Sequence, residues 1–566
     1  MPSCTVFLTL SLFLQLVIAL KREAKAYLPN SPPESAWSTL STSLTNPLIT
    51  TTLPFAPCHA PNPDQPTCIA AARTSTYDHP ALIRSDWWTG WTCPTTYSPI
   101  TNCTLGAYPS RVVRATSEAD IIAALRFATK WRVRIAIKNT GHDFLGRNIG
   151  YESLSIWTHH LRGISFSANW TPPSAPPDWP PESVVHVSAG EPWRAVSRAA
   201  YAAGKLVVGG ANPDVGAAGG WILGGGHSPL STAFGLGVDQ VRAMRVVLPN
   251  GTAVTASPFS CPDVFWALRG GGGGTFGVLT QVTYRTHDPG SLHAVRLVAT
   301  PGEGDFVAAM AWVLGLAGEW AEKGVGGYPI LHAGRYEGVF IAPGVERGVL
   351  DSLFAEVVAG LRERGVLASV TPFDSGIVSW MLGNSAIPHA GTGLKTGTGV
   401  MGSRLLSREA LADEERVAEV LRRAFEGGYI VEPFVVAGGA VGKTGAEEMG
   451  INPDWRGAVM HLTLLDGGSD AYNQTGKVVE AYARMQDDMV PLLERLGGNK
   501  GAYVNEASYR EPDWQETFWG ANYPRLLEIK RALDPNNTLW CYPCVGSEAL
   551  VLEPDGKLYY PEEREG

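Results

Sequence analysis

The sequence predicts an α+β fold from three observations. Between residues 106 and 290, helix-like, strand-like and glycine-rich segments follow one another repeatedly. Between residues 291 and 500, longer amphipathic stretches are separated by strand-like runs. Residues 501–550 are dense in aromatic side chains from Tyr503 to Trp540, so we expect this segment to close back over the first region. Mixed helices and strands of this kind are typical of α+β proteins.

The first region opens with a predicted helix. Ser117 and Asp120 have the spacing of a capping box. Apolar residues follow at the 3.6-residue spacing of a helix, at Ile121, Ala124, Leu125 and Ala128. A strand is then predicted over 133–137, and a glycine-containing loop follows over 138–147. The same order recurs in a strand over 184–187, a helix over 193–203 and a strand over 206–208.

The second region is predicted to have its own helices and strands. The amphipathic stretches lie at 305–316, 350–362 and 408–425, and the strand-like runs at 429–436 and 459–465. The whole chain therefore divides into a signal peptide (1–26), an irregular Pro-, Ser- and Thr-rich arm (27–105), two α+β domains (106–290 and 291–500), a closing segment (501–550) and a tail (551–566).

Composition excludes several functional classes. A chain of 566 residues is too long for a small binding module. The formal charge is −9, from 45 basic and 54 acidic residues, and no basic stripe is present to bind nucleic acid. A hydrophobic content of 45% excludes wholesale disorder. The 64 glycines and 41 prolines indicate many loops and close approach of backbone to a ligand.

The N-terminus predicts secretion. Residues 7–20 form a mostly apolar run of fourteen, shorter than the roughly 20 residues that a membrane span needs. This run reads as the core of a signal peptide, and Ala24 and Ala26 supply a small-x-small cleavage site. A buried N-terminal helix is the alternative. We expect no membrane attachment after signal removal, and N-glycosylation at Asn102, Asn169, Asn250, Asn473 and Asn536.

The cysteines agree with an oxidising compartment. After loss of Cys4 with the signal peptide, seven remain, so one thiol is unpaired. Short spacings favour local disulfides for Cys58 with Cys68 and for Cys93 with Cys103. Cys541 and Cys544 form a CxxC motif, which has redox and zinc-binding alternatives, but no further ligand pair lies near. A structural disulfide is the favoured interpretation, and no metal site is predicted.

Two glycine motifs do not fit the nucleotide sites that they resemble. Gly272, Gly274 and Gly277 satisfy GxGxxG, but a helix-like segment precedes the motif and a strand-like one follows. This order is the reverse of a Rossmann site. Residues 438–444 resemble a P-loop, yet Ala437 stands where the first glycine is required. Neither motif therefore predicts a nucleotide site.

Three glycine loops together predict an extended cofactor. They lie at 138–147, 216–228 and 270–274, all within one domain. Backbone amides that glycine leaves bare can cradle a pyrophosphate without a cationic side chain. We therefore expect a long cofactor between two subdomains.

At these residues the chain resembles the FAD-linked oxidases of the berberine bridge enzyme type, in the vanillyl-alcohol oxidase superfamily. The resemblance covers about residues 106–548 and is greatest to the fungal secreted members. It rests on the segments Lys138–Arg147, Gly224–Ser228, Asp263–Gly277, Trp519–Tyr523 and Leu533–Pro535. These motifs are highly specific for fold and cofactor, and poorly specific for substrate.

The resemblance implies a two-subdomain, PCMH-type FAD-binding domain over 106–290, completed by 501–550. The substrate domain would cover the isoalloxazine with a large antiparallel sheet. It further implies that His142 is covalently joined to the flavin 8α-methyl group. The other implied cofactor-binding residues are Lys138, Asn139, Thr140, Gly141, Asp143, Gly146, Arg147, Gly216, Ala217, Gly219, Gly220, Gly224, Gly225, Gly226, His227, Ser228, Gly277, Val278, Tyr503 and Asn505.

The chain departs from the family pattern at two positions. Asn212 stands where many members have a cysteine that makes a second flavin link, so a single histidyl link is expected. Glu506 stands where carbohydrate-oxidising members have the second Tyr of a Tyr-x-Asn-Tyr motif. The resemblance also implies a gate position just after the Val-Gly of the second loop, where bulky residues block O₂ in relatives. This position is the small Ala217 here, which favours an oxidase.

The predicted catalytic residues are His461, Thr463 and Glu506. His461 and Thr463 lie two apart on the predicted strand 459–465 and therefore share a face. An ordinary histidine pKa near ~6.5 suits a general base. Glu506 is the rival base, because burial against a flavin raises a carboxyl pKa, or else the partner that fixes the His461 tautomer. A buried, hydrogen-bonded core histidine is the alternative for His461.

These features predict a secreted, monomeric FAD-dependent oxidase. It would transfer a hydride from an alcohol or similar centre of a small organic molecule, such as a natural-product intermediate, and reduce O₂ to H₂O₂. The alternatives are a carbohydrate oxidase, a dehydrogenase with another electron acceptor, and a non-catalytic binding protein with the same fold.

Overall fold

A computed structural model describes residues 32–74, 78–83, 92–93, 98–381, 400–466, 475–552 and 557–560. The predicted signal peptide and Asn473 lie outside the described residues. Within those ranges, no helix combines the length and apolar character needed to cross a membrane.

The described strands are short in the N-terminal arm and longer thereafter. In chain order they are β1 (Ile49–Thr50), β2 (His59–Ala60), β3 (Ser98–Asn102), β4 (Arg111–Arg114), β5 (Ile135–Lys138), β6 (Leu154–Trp157), β7 (Ile164–Trp170), β8 (Glu182–Ser188), β9 (Val241–Val247), β10 (Ala253–Ala256), β11 (Val278–Arg285), β12 (Leu292–Thr300), β13 (Gly326–His332), β14 (Arg335–Pro343), β15 (Leu367–Pro372), β16 (Met401–Ser407), β17 (Tyr429–Phe434), β18 (Ala458–Asp466), β19 (Val551–Leu552) and β20 (Leu558–Tyr559).

The described α-helices include several single turns in the glycine-rich loops. In chain order they are α1 (Glu34–Ser43), α2 (Gln65–Ala72), α3 (Glu118–Trp131), α4 (Trp193–Ala202), α5 (Gly220–Leu223), α6 (Ser231–Phe234), α7 (Gly237–Gln240), α8 (Pro262–Leu268), α9 (Phe306–Gly315), α10 (Ala317–Glu322), α11 (Arg347–Glu363), α12 (Asp374–Met381), α13 (Arg408–Ala412), α14 (Glu414–Glu426), α15 (Thr475–Arg484), α16 (Val490–Gly497), α17 (Trp514–Trp519) and α18 (Tyr523–Leu533).

Three larger sheets organise these elements. A four-stranded sheet has the order β1-β4-β6-β5, with parallel pairing of β6 to both β4 and β5. A five-stranded antiparallel sheet has the order β10-β9-β11-β8-β7. A seven-stranded antiparallel sheet has the order β15-β12-β14-β13-β17-β18-β16. The predicted α+β class, with a large antiparallel sheet, is confirmed.

The two faces of the seven-stranded sheet pack differently. Met460, Leu462 and Leu464 of β18 join a core with helices α9, α11 and α14. Because side chains alternate along a strand, His461 and Thr463 face the opposite way, toward the first two sheets. The large sheet therefore has one face in a hydrophobic core and one face available to form a cavity wall.

Most predicted elements are present, and two are not as predicted. Helix α3 begins with the expected capping box of Ser117 and Asp120. The predicted strand over 206–208 is absent, because Leu206 makes only an isolated bridge to His287. The predicted helix over 408–425 is two helices, α13 and α14. It breaks at Asp413, whose side chain accepts a hydrogen bond from the Arg416 backbone and caps α14.

The disulfide predictions are confirmed. Cys58 pairs with Cys68, Cys93 with Cys103, and Cys541 with Cys544. Cys261 is free and exposed.

The C-terminal segment packs behind the third glycine loop. The Trp519 indole donates to the Gly270 carbonyl at 3.0 Å, and Lys530 Nζ donates to the Thr275 carbonyl at 3.0 Å. The sulfurs of Cys541 and Cys544 lie 3.6 and 3.7 Å from the Gly273 carbonyl oxygen. The loop is therefore held in place from behind by residues more than two hundred positions later in the chain.

Candidate active site

A large cavity lies between the glycine loops and the free face of the seven-stranded sheet. It encloses about 1570 Å³, including its open mouth. Fifteen of the predicted site residues line it, and they come from the first two predicted loops, from Gly277 after the third loop, from β18 and from the C-terminal segment. They are Asn139, Thr140, Gly141, His142, Asp143, Arg147, Gly216, Gly219, Gly220, His227, Gly277, Thr463, Tyr503, Asn505 and Glu506.

The other predicted site residues do not line this cavity. They are Lys138, Gly146, Ala217, Gly224, Gly225, Gly226, Ser228, Val278 and His461. The buried Lys138 ammonium donates to the His79 carbonyl at 2.9 Å and thus contacts the N-terminal arm. Ala217 is fully buried, and its neighbour Ala218 lies on the cavity wall instead.

The first loop brings His142 to the cavity and links it to the C-terminal segment. This loop follows β5, and its His142 side chain is half-buried at the cavity wall. Arg147 forms an ion pair with Asp143, and its guanidinium also donates to Asn505 Oδ1 at 2.9 Å. The Asp143 pair fixes the shape of the loop, and the Asn505 bond ties it to residues that follow the large sheet.

The glycines at this wall are required for close backbone packing. A Cβ at Gly216 would overlap the Asn139 side chain, and one at Gly224 would overlap Asn505. Within the described ranges, Asn139 Oδ1 and Arg147 Nη1 are buried without a hydrogen-bond partner. Bare backbone and two polar atoms without partners suit an extended dinucleotide such as FAD.

The opposite wall is the sheet face predicted from the spacing of Thr463. Thr463 and Leu465 of β18 line the cavity together with Met401 of β16 and with Glu432 and Phe434 of β17. Thr463 pairs across the sheet with both Ser403 and Glu432. Its buried hydroxyl oxygen has no hydrogen-bond partner among the described residues, so it is available to a ligand.

Glu506 is the centre of a buried hydrogen-bonded group. His227 Nε2 lies 3.0 Å from Glu506 Oε2, and His227 Nδ1 lies 2.6 Å from the Tyr328 hydroxyl. The Glu506 side chain is 24% exposed, toward the cavity that it lines. One carboxylate oxygen is thus held by protein, and the group still reaches the ligand space.

The pKa of Glu506 is lowered from its ordinary value, not raised. Burial opposes its ionisation, but the electrostatic interaction and hydrogen bond with His227 and the interaction with His461 outweigh burial and lower the pKa of this carboxyl. The sequence-based expectation of a raised pKa is not met. Glu506 is therefore a carboxylate at neutral pH.

His461 is beside Glu506, as predicted, but does not have the environment expected of a base. Its Nδ1 lies 3.5 Å from Glu506 Oε2, and its side chain is 0% exposed. Burial, opposed by the charge of Glu506, lowers the pKa of His461 to about 3. The expectation of a pKa near ~6.5 is therefore wrong.

Sequence reasoning missed several residues of the site, including three polar ones. Tyr328 and Glu432 line the cavity, and the Ser403 hydroxyl donates to the Glu506 backbone carbonyl at 2.5 Å. A carboxylate within the otherwise mostly apolar run 429–436 was a usable signal for Glu432. No local signal distinguished Tyr328 or Ser403, because their importance comes from which strands the fold places together.

The chain matches two family models, one at each end of the cavity-forming sequence. Residues 109–257 match the FAD binding domain family, and residues 502–543 match the family described as berberine and berberine like. These ranges contain the first two glycine loops and the Glu506 segment.

Individual relatives match over nearly the whole length. The chain is 31% identical over 545 residues to the FAD-linked oxidoreductase ZEB1 of Gibberella zeae, covering 93% of each chain. It is 30% identical over 559 residues to the VAO-type flavoprotein oxidase VAO615 of Thermothelomyces thermophilus, again covering 93% of each. The crystal structure of the VAO-type flavoprotein MtVAO713 from Myceliophthora thermophila C1 superposes with a TM-score of 0.86 at 27% identity, covering 95% of this chain and 100% of that one.

Proposed function

The chain belongs to the FAD-linked oxidoreductases of the berberine bridge and vanillyl-alcohol oxidase type, and we propose that within this family it is a secreted oxidase of small hydroxylated organic molecules. Residues 106–290 with 501–550 would form the FAD-binding domain, and residues 291–500 the substrate domain. Glu506 would be the proton acceptor.

The carboxylate of Glu506 is the observation that carries this proposal. One oxygen of this carboxylate is held by His227, its pKa is lowered, and it is open to the cavity beside the Thr463 hydroxyl. Oxidation of an alcohol requires removal of the hydroxyl proton as the carbon gives up a hydride. Of the two predicted bases, only Glu506 lines the cavity.

The residues around the substrate would have different roles in the reaction. Bound FAD supplies the two-electron oxidising chemistry, with O₂ as terminal acceptor and H₂O₂ as product. Glu506 takes the hydroxyl proton, and the Thr463 hydroxyl hydrogen-bonds the substrate oxygen. His142 lies where a covalent bond would retain the cofactor after secretion.

The sheet face favours a partly apolar substrate. Met401, Phe434 and Leu465 supply apolar surface. The polar side chains of Tyr328, Glu432 and Thr463 lie beside them. An oligosaccharide would leave many hydroxyl groups without partners against such a wall. The substrate would therefore be a natural-product intermediate rather than a sugar.

Small residues at the cofactor wall support the use of O₂. Gly216, Ala218 and Gly219 line the cavity, whereas Ala217, at the position first expected to gate oxygen, is fully buried with its carbonyl bound by Tyr284. Ala218 would be the residue that leaves room for O₂. Ala218→Leu should slow reoxidation of the reduced enzyme by air, measured by stopped-flow absorbance.

Secretion is supported by surface features as well as by the N-terminal run. Three disulfides are present. The four predicted glycosylation asparagines within the described residues, Asn102, Asn169, Asn250 and Asn536, are all exposed.

Two experiments test the proposal. Anaerobic mixing of the purified protein with alcohols, sugars and phenolic metabolites should bleach the flavin with an alcohol of mixed polarity. Bleaching only by sugars would contradict the proposed substrate class. After acid precipitation, the yellow colour should stay with wild-type polypeptide and enter the supernatant for His142→Ala, while release from both would contradict the covalent link.

A further inference from the structure

We propose that His227 and Tyr328 are positioning residues that hold Glu506 as an ionised proton acceptor. The inference rests on the proposed role of Glu506, and it changes the role predicted for His227, from cofactor contact to support of a carboxylate. Tyr328 had no predicted role.

The hydrogen bonds have a defined direction. A carboxylate only accepts, so His227 Nε2 must carry a proton and donate to Glu506 Oε2 at 3.0 Å. In a neutral ring the other nitrogen then accepts, and the Tyr328 hydroxyl donates to Nδ1 at 2.6 Å. Tyr328 thus fixes the tautomer that His227 needs to bind Glu506.

The His227 ring is confined on several sides. It is 5% exposed. Ring centroids lie at 5.1 to 6.4 Å from it, belonging to Tyr503, His461, Tyr328, Phe434 and Trp455. A ring packed in this way keeps one orientation, and its hydrogen bond to Glu506 keeps one geometry.

The glycine run before His227 explains how the side chain reaches Glu506. Gly225 and Gly226 have φ of +133° and +72°, values that side-chain-bearing residues rarely adopt. A Cβ on Gly226 would lie 2.8 Å from the Trp221 ring. These glycines, which do not line the cavity, set the backbone turn that directs His227 to the carboxylate.

His461 does not provide the same support. Its Nδ1 lies 3.5 Å from the same Glu506 oxygen, and its hydrogen bond is to the Glu506 backbone rather than to the carboxylate. The backbone of Glu506 is separately held by Ser403. The side chain of Glu506 therefore depends on His227 for its orientation.

The titratable groups around Glu506 come from four other elements or loops and from its own segment. They are His227, Tyr328 of β13, Glu432 of β17, His461 of β18 and Tyr503. Of these, His227 donates the one side-chain hydrogen bond that stabilises the ionised form of Glu506. Removing that donor should raise the pH at which the carboxylate protonates.

The test compares His227→Phe, His227→Gln and Tyr328→Phe, with Tyr336→Phe as a matched control. Tyr336 is a buried tyrosine of the same sheet that lies in the helix-side core. The acid limb of the anaerobic flavin-reduction rate should move up by about one pH unit in His227→Phe, the size expected for loss of one charge-assisted hydrogen bond. It should move less in Tyr328→Phe, and stay near wild type in His227→Gln, which keeps a donor, and in Tyr336→Phe.

A second readout does not require turnover. The protonated Glu506 carboxyl gives an infrared C=O band, identified by its loss in Glu506→Gln, and its pH titration should shift upward in His227→Phe. Thermal melts identify any variant that fails to fold. An unshifted band and acid limb in folded His227→Phe would overturn the proposal, because a merely structural role would lower the rate equally at every pH. If Glu506→Gln keeps its rate while the band shifts in His227→Phe, the base assignment fails and the positioning role stands.

Discussion

The two walls of the cavity present different kinds of chemistry. On the loop wall, backbone faces the ligand, and Gly216 has no room for a side chain. On the sheet wall, side chains line the cavity, and they combine polar groups such as Thr463 and Glu432 with apolar ones such as Phe434. From this difference we expect that the cofactor common to the family is recognised largely by backbone shape, and the substrate of one member by side chains that are easily exchanged.

The largest expected effect is at Glu506, the proposed proton acceptor. Glu506→Gln should reduce the anaerobic rate of flavin reduction by about 10²-fold or more, because a general base is lost. His461→Gln should reduce it by less than about tenfold, since His461 is fully buried. Stopped-flow flavin absorbance measures both, and the reverse ranking would restore His461 as the base.

The next effect is on the loop wall. Gly216→Ala should destabilise the protein by about 1–3 kcal/mol through overpacking against Asn139, and lower the FAD content of the purified protein. Gly348→Ala in α11, where a Cβ meets nothing within 4 Å, is the control and should leave both unchanged. Equal FAD content and equal denaturant midpoints in the two variants would contradict the backbone account of this wall.

Two of the disulfides are expected to have similar effects on stability but different effects on cofactor binding. Opening the short Cys541–Cys544 loop should lower the free energy of unfolding by about 2 kcal/mol, and opening the Cys58–Cys68 loop by about 3, on loop-length grounds. Only the Cys541–Cys544 pair lies against Gly273. FAD should therefore be lost only when these two cysteines are both replaced by serine. Denaturant unfolding and flavin-to-protein absorbance ratios provide the comparison, and FAD loss in both variants would remove the distinction.

The smallest effect concerns the unpartnered hydroxyl on the sheet wall. Thr463→Val should stabilise the apoprotein by about 1 kcal/mol, because a buried hydroxyl oxygen without a partner is removed. The rate of flavin reduction should fall if this hydroxyl binds substrate. A variant that is less stable and equally fast would show that Thr463 packs within the protein and serves no ligand.

The local features of the fold were predictable from the sequence. Helix α3 has a capping box and a regular apolar stripe, and both come from residues close together in the chain. The failed strand over 206–208 shows the limit of such reasoning. Its apolar residues are buried, but the chain offers Leu206 only one bridging partner, and strand pairing depends on distant residues.

The candidate site was predictable where backbone shape forms it, and less predictable where the orientation of a side chain forms it. The loop positions His142 and Gly216 lie at the cavity, as their motifs indicated. His227 also lies there, but the turn at Gly225 and Gly226 directs it to Glu506, which the motif did not reveal. The lowered pKa of His461 comes from burial by a surrounding sheet, and residue type and spacing do not encode burial.

The late position of the C-terminal segment in the sequence affects when the FAD site can form. Trp519, Lys530 and the Cys541–Cys544 disulfide support the third glycine loop from behind, and Glu506 itself lies in the same late segment. A nascent chain on the ribosome that still lacks these residues has neither the complete cofactor wall nor the Glu506 carboxylate. We therefore expect FAD to be acquired only after the chain has been synthesised through Cys544 and the Cys541–Cys544 disulfide has formed.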